Sequence, residues 1–129
     1  MVQKRTTVDQ LLAQARRQLA RLGPEEARRA AQDGALLIDI RSERQRARDG
    51  LMAGARVVPR NELEWRLDPE SDYRDPELAR PDARVVIVCN KGYQSSLAAA
   101  TLKQMGFEHA TDLEGGFQAW RDAGLPVEP

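Results

Sequence analysis

The chain of 129 residues is long enough for one compact core and too short for two. Its 20 basic and 20 acidic side chains cancel, so we expect no broad electrostatic surface for nucleic acid or for an anionic membrane. No run approaches the roughly 18 apolar residues of a spanning helix, and Met1 to Gln14 lacks the apolar segment of a secretory signal, which favours a cytoplasmic location. Any anion-binding site must therefore be local.

The N-terminal part of the chain predicts two helices. Thr7 begins a capping box, and apolar residues at helical spacing then predict a first helix from Val8 to Leu22. Gly23 ends this helix, and Pro24 suits the first turn of a second helix that continues to about Gln32. The first helix stands apart from the rest, and we expect it to cover the edge of a sheet rather than to mediate self-association.

Short apolar runs alternate with helical patterns along the rest of the chain. The predicted strands are Ala35–Ile38, Ala55–Pro59, Arg84–Val88 and Ala110–Leu113. The third contains four consecutive β-branched residues, so we expect it at the centre of the sheet. The predicted helices are Ser42–Asp49, Asn61–Leu67, Ser95–Met105 and a last one after Gly116, with a single helical turn from Asp75 to Arg80. This alternation predicts an α/β domain with a mainly parallel sheet covered on both sides.

Cys89 is the only cysteine in the chain, and it directly follows the strongest predicted strand. A single cysteine excludes an internal disulfide, a CxxC redox pair and a multi-cysteine metal site, which leaves a buried structural thiol or a reactive one. In an open α/β sheet, ligands bind beyond the carboxyl ends of the strands, where loops lead into helices. Cys89 therefore stands where a binding site is expected.

A short polar loop follows Cys89. Its residues are Asn90, Lys91, Gly92, Tyr93, Gln94 and Ser95. Gly92 tolerates a positive φ and Ser95 can cap the next helix, so the backbone N–H groups of the loop can converge on the sulfur. A helix N-terminus stabilises a thiolate, and Lys91 adds a mobile cation at the rim. From these residues alone, a reactive cysteine and a small buried structural thiol at a strand end remain about equally open.

Four segments carry a family resemblance. They are LLIDIR at Leu36–Arg41, GARVVP at Gly54–Pro59, VVIVCNKGYQSS at Val85–Ser96 and LEGGFQAW at Leu113–Trp120. In these motifs and in their order, the chain resembles the rhodanese family of sulfurtransferases from roughly Gly23 to Val127. The resemblance implies a rhodanese-like, doubly wound α/β domain over residues 23–129, with a mainly parallel sheet flanked by helices, and an N-terminal helical extension over residues 1–22.

The resemblance also implies a chemistry. Cys89 would be the nucleophile that takes a sulfane sulfur from a small anionic donor such as thiosulfate and holds it as a persulfide. The amides from Asn90 to Ser95 would surround the terminal sulfur, which needs neither a metal nor an organic cofactor. Because the chain has no second cysteine, the sulfur would pass to an external thiol, to cyanide or to a protein acceptor.

Asp39 and Arg41, at the end of the first predicted strand, complete the expected substrate-binding set. Asp39 resembles the aspartate of the family that braces the active-site loop, and its alternative role is to cap a neighbouring turn. Many rhodaneses carry arginine where this chain has Gln94. The expected brace is therefore a neutral hydrogen bond between Gln94 and Asp39 rather than an ion pair.

Two other functions have to be weighed. Phosphatases and arsenate reductases with a comparable loop need Cys-x5-Arg, and Ser95 stands at the position of that arginine, which disfavours phosphate chemistry. The main alternative is a rhodanese-like module that binds a partner or senses oxidants without turnover. A reactive thiolate without a resolving cysteine can also collect sulfenic acid or glutathione.

Overall fold

The centre of the molecule is a parallel sheet whose strands fall within the four predicted strand regions or overlap them. The computed structural model describes residues 5–129. The strands are β1 Leu36–Asp39, β2 Leu51–Met52, β3 Arg56–Val57, β4 Val85–Val88, β5 Ala110–Asp112 and β6 Val127–Glu128. The helices are α1 Val8–Arg16, α2 Pro24–Gln32, α3 Glu43–Asp49, α4 Leu63–Leu67, α5 Gln94–Gln104 and α6 Gly116–Asp122, and a 3-10 turn at Arg60–Glu62 precedes α4.

The central sheet has four parallel strands in the order β3-β1-β4-β5. Every residue of β4 is fully buried, as expected for a strand covered on both faces. One apolar layer joins Ile87 and Phe107 to α4 and α5, and the other joins Val86 and Val88 to α2 and α6. The prediction of a doubly wound, mainly parallel α/β fold is confirmed.

The first helix is shorter than predicted. α1 begins with the predicted capping box but ends at Arg16 rather than at Leu22. The chain then turns, and Leu22 forms a parallel bridge with Leu113 beside β5. The Leu22 N–H donates to the Asp112 carbonyl at 3.1 Å, and the Glu114 N–H donates to the Leu22 carbonyl at 2.8 Å. Backbone groups at the edge of β5 need such partners, which explains why the helix gives way to an extended segment.

The expected cover of the sheet edge comes from this extended segment rather than from the helix. α1 packs against α5, and its Ala15 is buried. Residues 1–4 of the predicted extension lie outside the described residues. Within residues 5–129, no helix is long and apolar enough to cross a membrane.

Among the short elements, one pair of strands was not predicted and one helical turn was. β2 and β6, which the sequence does not predict, form an antiparallel pair that joins Met52 to Val127. Strands of two residues are too short to show a periodic pattern. The single turn predicted at Asp75 is present, and the N–H groups of Leu78 and Ala79 both donate to the Asp75 carbonyl. Pro81 disfavours helical geometry in the residue before it, so the turn does not continue.

Deleting residues 1–22 is expected to destabilise the domain, because the deletion removes the pairing of Leu22 and uncovers β5 and α5. A loss of about 2 kcal/mol lowers the melting temperature of a domain of this size by roughly 5–10 °C. Thermal unfolding followed by circular dichroism measures the shift. The control Val8→Ala, at an exposed position of α1, should move it by less than about 2 °C. An unchanged melting temperature for the deletion variant would contradict the role assigned to this segment.

Candidate active site

Strand β4 delivers Cys89 to the carboxyl edge of the sheet, where the chain curls back around the sulfur. Cys89 is buried, and its Sγ accepts hydrogen bonds from the Gly92 N–H at 3.2 Å and from the Ser95 N–H at 3.3 Å. Gly92 has a φ of +87°, the left-handed conformation that its position was expected to need. The loop thus directs two backbone donors at one sulfur atom.

The first turn of α6 binds the backbone of the Cys89 loop. The Phe117 N–H donates to the Cys89 carbonyl at 2.8 Å, and the Gln118 N–H donates to the Asn90 carbonyl at 3.1 Å. The fit is close at Gly92, where an added Cβ would lie 2.7 Å from the backbone nitrogen of Gly115. The LEGGFQAW segment therefore supplies the surface on which the cysteine loop rests.

Asp112, at the end of β5, ties the loop to the sheet. Its carboxylate is fully buried, and its Oδ2 accepts hydrogen bonds from the hydroxyls of Ser95 at 2.7 Å and Ser96 at 2.8 Å. The Arg21 guanidinium pairs with the same carboxylate at 2.9 Å. Asp112, Ser96 and Arg21 were not predicted from the sequence to belong to the site. An acidic residue inside an otherwise buried strand was the one signal for Asp112.

The structure corrects the roles expected for Ser95, Asp39 and Gln94. The N-cap of α5 is Tyr93, and the Ser95 hydroxyl donates to Asp112 instead of capping the helix. Asp39 does not bind Gln94: its carboxylate accepts hydrogen bonds from Arg41, and Gln94 Oε1 accepts one from Arg60 Nε at 3.1 Å. Asp39 pairs with Arg41 because a buried carboxylate requires a cation, which a neutral amide cannot supply.

The Arg41 side chain is buried and contacts three groups. It pairs with Asp39 at 2.8 Å, donates to the Gly50 carbonyl at 2.8 Å and stacks 3.9 Å from the centre of the Phe117 ring. Among the described residues, Arg41 Nη1 and Asn90 Oδ1 are buried polar atoms without a hydrogen-bond partner. Both residues are among those that line the cleft in front of Cys89.

The cleft has a volume of about 820 Å³ and contains Cys89 among its lining residues. Three further loop residues line the same cleft: Lys91, Tyr93 and Gln94. Arg48 and Arg60 add two guanidinium groups, but each is paired with a carboxylate. The hydrogen bond from Arg48 holds the pKa of Asp49 below its usual value. Lys91 is exposed at the rim, in agreement with its expected position.

The parallel sheet and the position of Cys89 define the class of this protein: a small α/β domain in which two loop amides donate to a cysteine at the carboxyl edge of the sheet. Comparison with known proteins gives the family. Residues 23–123 match the family profile of the rhodanese-like domain. The match covers most of the chain and includes the whole cysteine loop, and the chain belongs to the rhodanese-like family.

Two similar curated proteins are both named thiosulfate sulfurtransferase GlpE. Thiosulfate sulfurtransferase GlpE from Pseudomonas paraeruginosa is 36% identical over 101 residues, which is 78% of this chain and 83% of that protein. The protein of the same name from Actinobacillus pleuropneumoniae serotype 3 is 32% identical over 96 residues, 74% of this chain and 80% of that protein.

Solved structures extend the similarity to the N-terminal helix. A protein of unknown function from Rhodopseudomonas palustris, described as a possible tyrosine phosphatase, is 36% identical with a TM-score of 0.88 and covers 99% of both chains. The polysulfide-sulfur transferase of Wolinella succinogenes is 27% identical with a TM-score of 0.71, over 90% of this chain and 82% of that one. The first similarity includes α1, which lies outside the family match.

Replacing Gly92 by alanine is expected to destabilise the domain more than the same replacement at Gly106. Both glycines have a positive φ, which costs alanine about 1–2 kcal/mol, but only the Gly92 Cβ meets backbone atoms. Urea unfolding should therefore show a loss of about 1–2 kcal/mol for Gly106→Ala and a loss at least about 1 kcal/mol larger for Gly92→Ala. Equal losses would show that the loop does not rest on Gly115.

Proposed function

We propose that the protein is a sulfurtransferase that moves a sulfane sulfur from a small anionic donor, such as thiosulfate, through a persulfide on Cys89. One observation carries the proposal: Cys89 Sγ lies at the floor of a cleft and accepts two backbone hydrogen bonds from its own loop. Such donors stabilise negative charge on sulfur without a further group. The names of the GlpE relatives support the same chemistry.

The first step is attack by the Cys89 thiolate on the outer sulfur of thiosulfate. A new S–S bond forms between Cys89 and that sulfur, the S–S bond of thiosulfate breaks, and its electron pair leaves with sulfite. The enzyme then carries a persulfide with one negative charge on the terminal sulfur. We expect the loop amides from Asn90 to Ser95 to surround this charge, and the N–H groups of Gly92 and Ser95, which point at Sγ, support this expectation.

The second step transfers the terminal sulfur to an acceptor. A thiolate or cyanide attacks that sulfur, the persulfide S–S bond breaks, and Cys89 is released as a thiolate. The acceptor must come from outside the chain, because Cys89 is its only cysteine. An external thiol or a protein acceptor reaches the sulfur through the cleft. The cytoplasmic location expected from the sequence stays a prediction.

The cleft wall supports an anionic donor rather than a neutral one. Arg41 contributes a buried guanidinium whose Nη1 has no partner among the described residues, and Lys91 places a flexible ammonium at the entrance. The carboxylate of Asp39 compensates most of the charge of Arg41, so Lys91 is the cation best placed to attract the donor. Asn90 precedes Lys91 in the loop and lines the same cleft.

Phosphate chemistry is the competing function suggested by the description of the Rhodopseudomonas palustris protein. Phosphatases of this loop type bind phosphate oxygens with an arginine fork at the sixth position after the cysteine. Here that position holds Ser95, and its hydroxyl is turned away to Asp112. The nearby Arg60 is hydrogen-bonded to Gln94 and Glu64. This arrangement favours sulfur transfer.

Treatment with thiosulfate is expected to add one sulfur atom to Cys89. Intact-protein and peptide mass spectrometry measure the adduct, which a reducing agent should remove. Cys89→Ser should give no adduct and no thiocyanate formation from thiosulfate and cyanide, with an unchanged melting temperature.

The control assays decide between the competing functions. A generic phosphoester should not be hydrolysed, because the arginine fork is missing. If thiosulfate, mercaptopyruvate and polysulfide all leave Cys89 unmodified, the sulfurtransferase proposal fails. A cysteine that then reacts readily with peroxide or oxidised glutathione would instead indicate the redox-sensing module.

Lys91→Gln is expected to raise the KM for thiosulfate about two- to fivefold with little change in kcat. A solvent-exposed charge pair contributes roughly 0.5–1 kcal/mol, and salt screens it. Steady-state kinetics at low and high ionic strength measure the effect, which should shrink as salt is added. Lys103→Gln is the matched control, because Lys103 donates to the Glu108 carbonyl outside the cleft. The same increase in KM for both variants would contradict a local role of Lys91.

A further inference from the structure

We propose that Arg16 and Arg21 are positioning residues that hold the Cys89 loop in its sulfur-binding conformation. Both come from the segment before residue 23, outside the family match. The inference rests on the proposed sulfur transfer, because the loop conformation matters through the persulfide that it surrounds. It assigns an active-site role to a part of the chain that the family resemblance leaves unexplained.

The two arginines converge on one carbonyl of the loop. Arg16 Nη2 donates to the Gly92 carbonyl at 2.9 Å, and Arg21 Nη2 donates to the same oxygen at 3.0 Å. Each guanidinium also binds a second group at the base of the loop. Arg16 Nε donates to the Ser96 hydroxyl at 3.1 Å, and Arg21 pairs with the Asp112 carboxylate at 2.9 Å. Both arginines therefore link the loop to the first turn of α5 or to β5.

These contacts differ from ordinary surface ion pairs. The Arg21 side chain is 16% exposed and the Asp112 side chain is 0% exposed, so water screens their pairing weakly. Hydrogen bonds from a charged donor are shorter and roughly twice as strong as neutral ones. Arginine suits this task because its rigid fork presents several donors at once, whereas lysine offers a single point charge.

The position of the Gly92 carbonyl explains how the arginines can act on the sulfur site. This carbonyl and the Tyr93 N–H belong to one planar trans peptide, so the two groups point in opposite directions. Arginines that fix the carbonyl on the outer side of the loop therefore fix the Tyr93 N–H on the opposite side. The neighbouring peptide carries the Gly92 N–H that donates to Cys89 Sγ. The arginines thus orient the Gly92–Tyr93 peptide directly, and Gly92 joins that peptide to the one whose N–H donates to the sulfur.

Attachment of the segment to the domain does not depend on these side chains alone. Leu22 pairs with Leu113 through backbone hydrogen bonds, and Ala15 is buried where α1 packs on α5. Removing the Arg16 guanidinium leaves those contacts in place. The variant can therefore separate positioning of the loop from stability of the fold.

The test compares Arg16→Ala with Arg17→Ala, its exposed neighbour, which removes the same charge next to it in sequence. For Arg16→Ala, we expect kcat/KM for thiosulfate to fall about tenfold, mainly through kcat, because a loosened donor stabilises the developing charge less. Arg17→Ala should remain within about twofold of the unmodified protein. Arg16→Lys, which retains one donor for Gly92, should recover part of the loss.

Amide hydrogen exchange gives a readout that does not depend on sulfur transfer. The amides of Gly92, Tyr93 and Ser95 should exchange faster in Arg16→Ala than in Arg17→Ala, while those of β4 should not change. If Arg16→Ala melts well below the wild-type protein, Arg16→Lys takes its place in the comparison with Arg17→Ala. Arg16→Lys should then lose part of its kcat, although less than expected for Arg16→Ala, and Arg17→Ala should lose none.

The outcomes separate the two proposals. If the wild-type protein accepts no sulfur from any donor, the proposed function is refuted. The hydrogen-exchange experiment still decides whether Arg16 orders the loop. An active protein in which Arg16→Ala and Arg17→Ala show equal kcat and equal exchange refutes the positioning role and leaves the sulfurtransferase intact. A rise in KM alone would also refute it, since it would mean that Arg16 only attracts the donor.

Discussion

The buried carboxylate of Asp112 is the group on which the arrangement of the site depends. It accepts hydrogen bonds from Ser95, Ser96 and Arg21, and it is fully buried. A buried charge is tolerated only when it is paired and its lone pairs are used, so each of these partners is constrained by the others. The Asp112 carboxylate therefore connects three parts of the chain at the base of the Cys89 loop: β5, the first turn of α5 and the N-terminal segment.

The sequence predicts the position of the site better than the contacts that hold it. Cys89 and Gly92 lie within one local strand–loop–helix pattern, and the structure gives them the geometry that this pattern requires. Arg21 and Asp112 are 91 residues apart, and no local pattern signals that they meet. Asp39 was assigned to the loop by resemblance, but Arg41, two residues away, pairs with it first. The partners of the two buried carboxylates were therefore not predicted: Arg21 reaches Asp112 from a distant part of the chain, whereas Arg41 is a local partner of Asp39.

In the fold, too, features set by neighbouring residues were predicted, and a feature set by distant residues was not. β4 was identified as a central strand because four β-branched residues in a row suit a strand buried on both faces. The end of α1 could not be predicted from helical spacing, because the residues up to Leu22 retain that spacing although the chain has left the helix. What ends the helix is the open edge of β5, whose backbone groups pair with Leu22. That edge becomes visible only when the sheet has been assembled.

The distribution of charge around Cys89 explains why the proposed persulfide fits the loop better than a phosphate dianion. Arg16 and Arg21 bind the outer side of the loop, where their charge fixes the Gly92 carbonyl and balances Asp112. The inner side presents single N–H donors to Sγ. A phosphate dianion spreads its charge over several oxygens and is commonly held by an arginine fork, whereas the terminal sulfur of a persulfide is one atom with one charge. Converging amides can surround that atom, so a loop with Ser95 in place of the arginine keeps an anion site suited to sulfur.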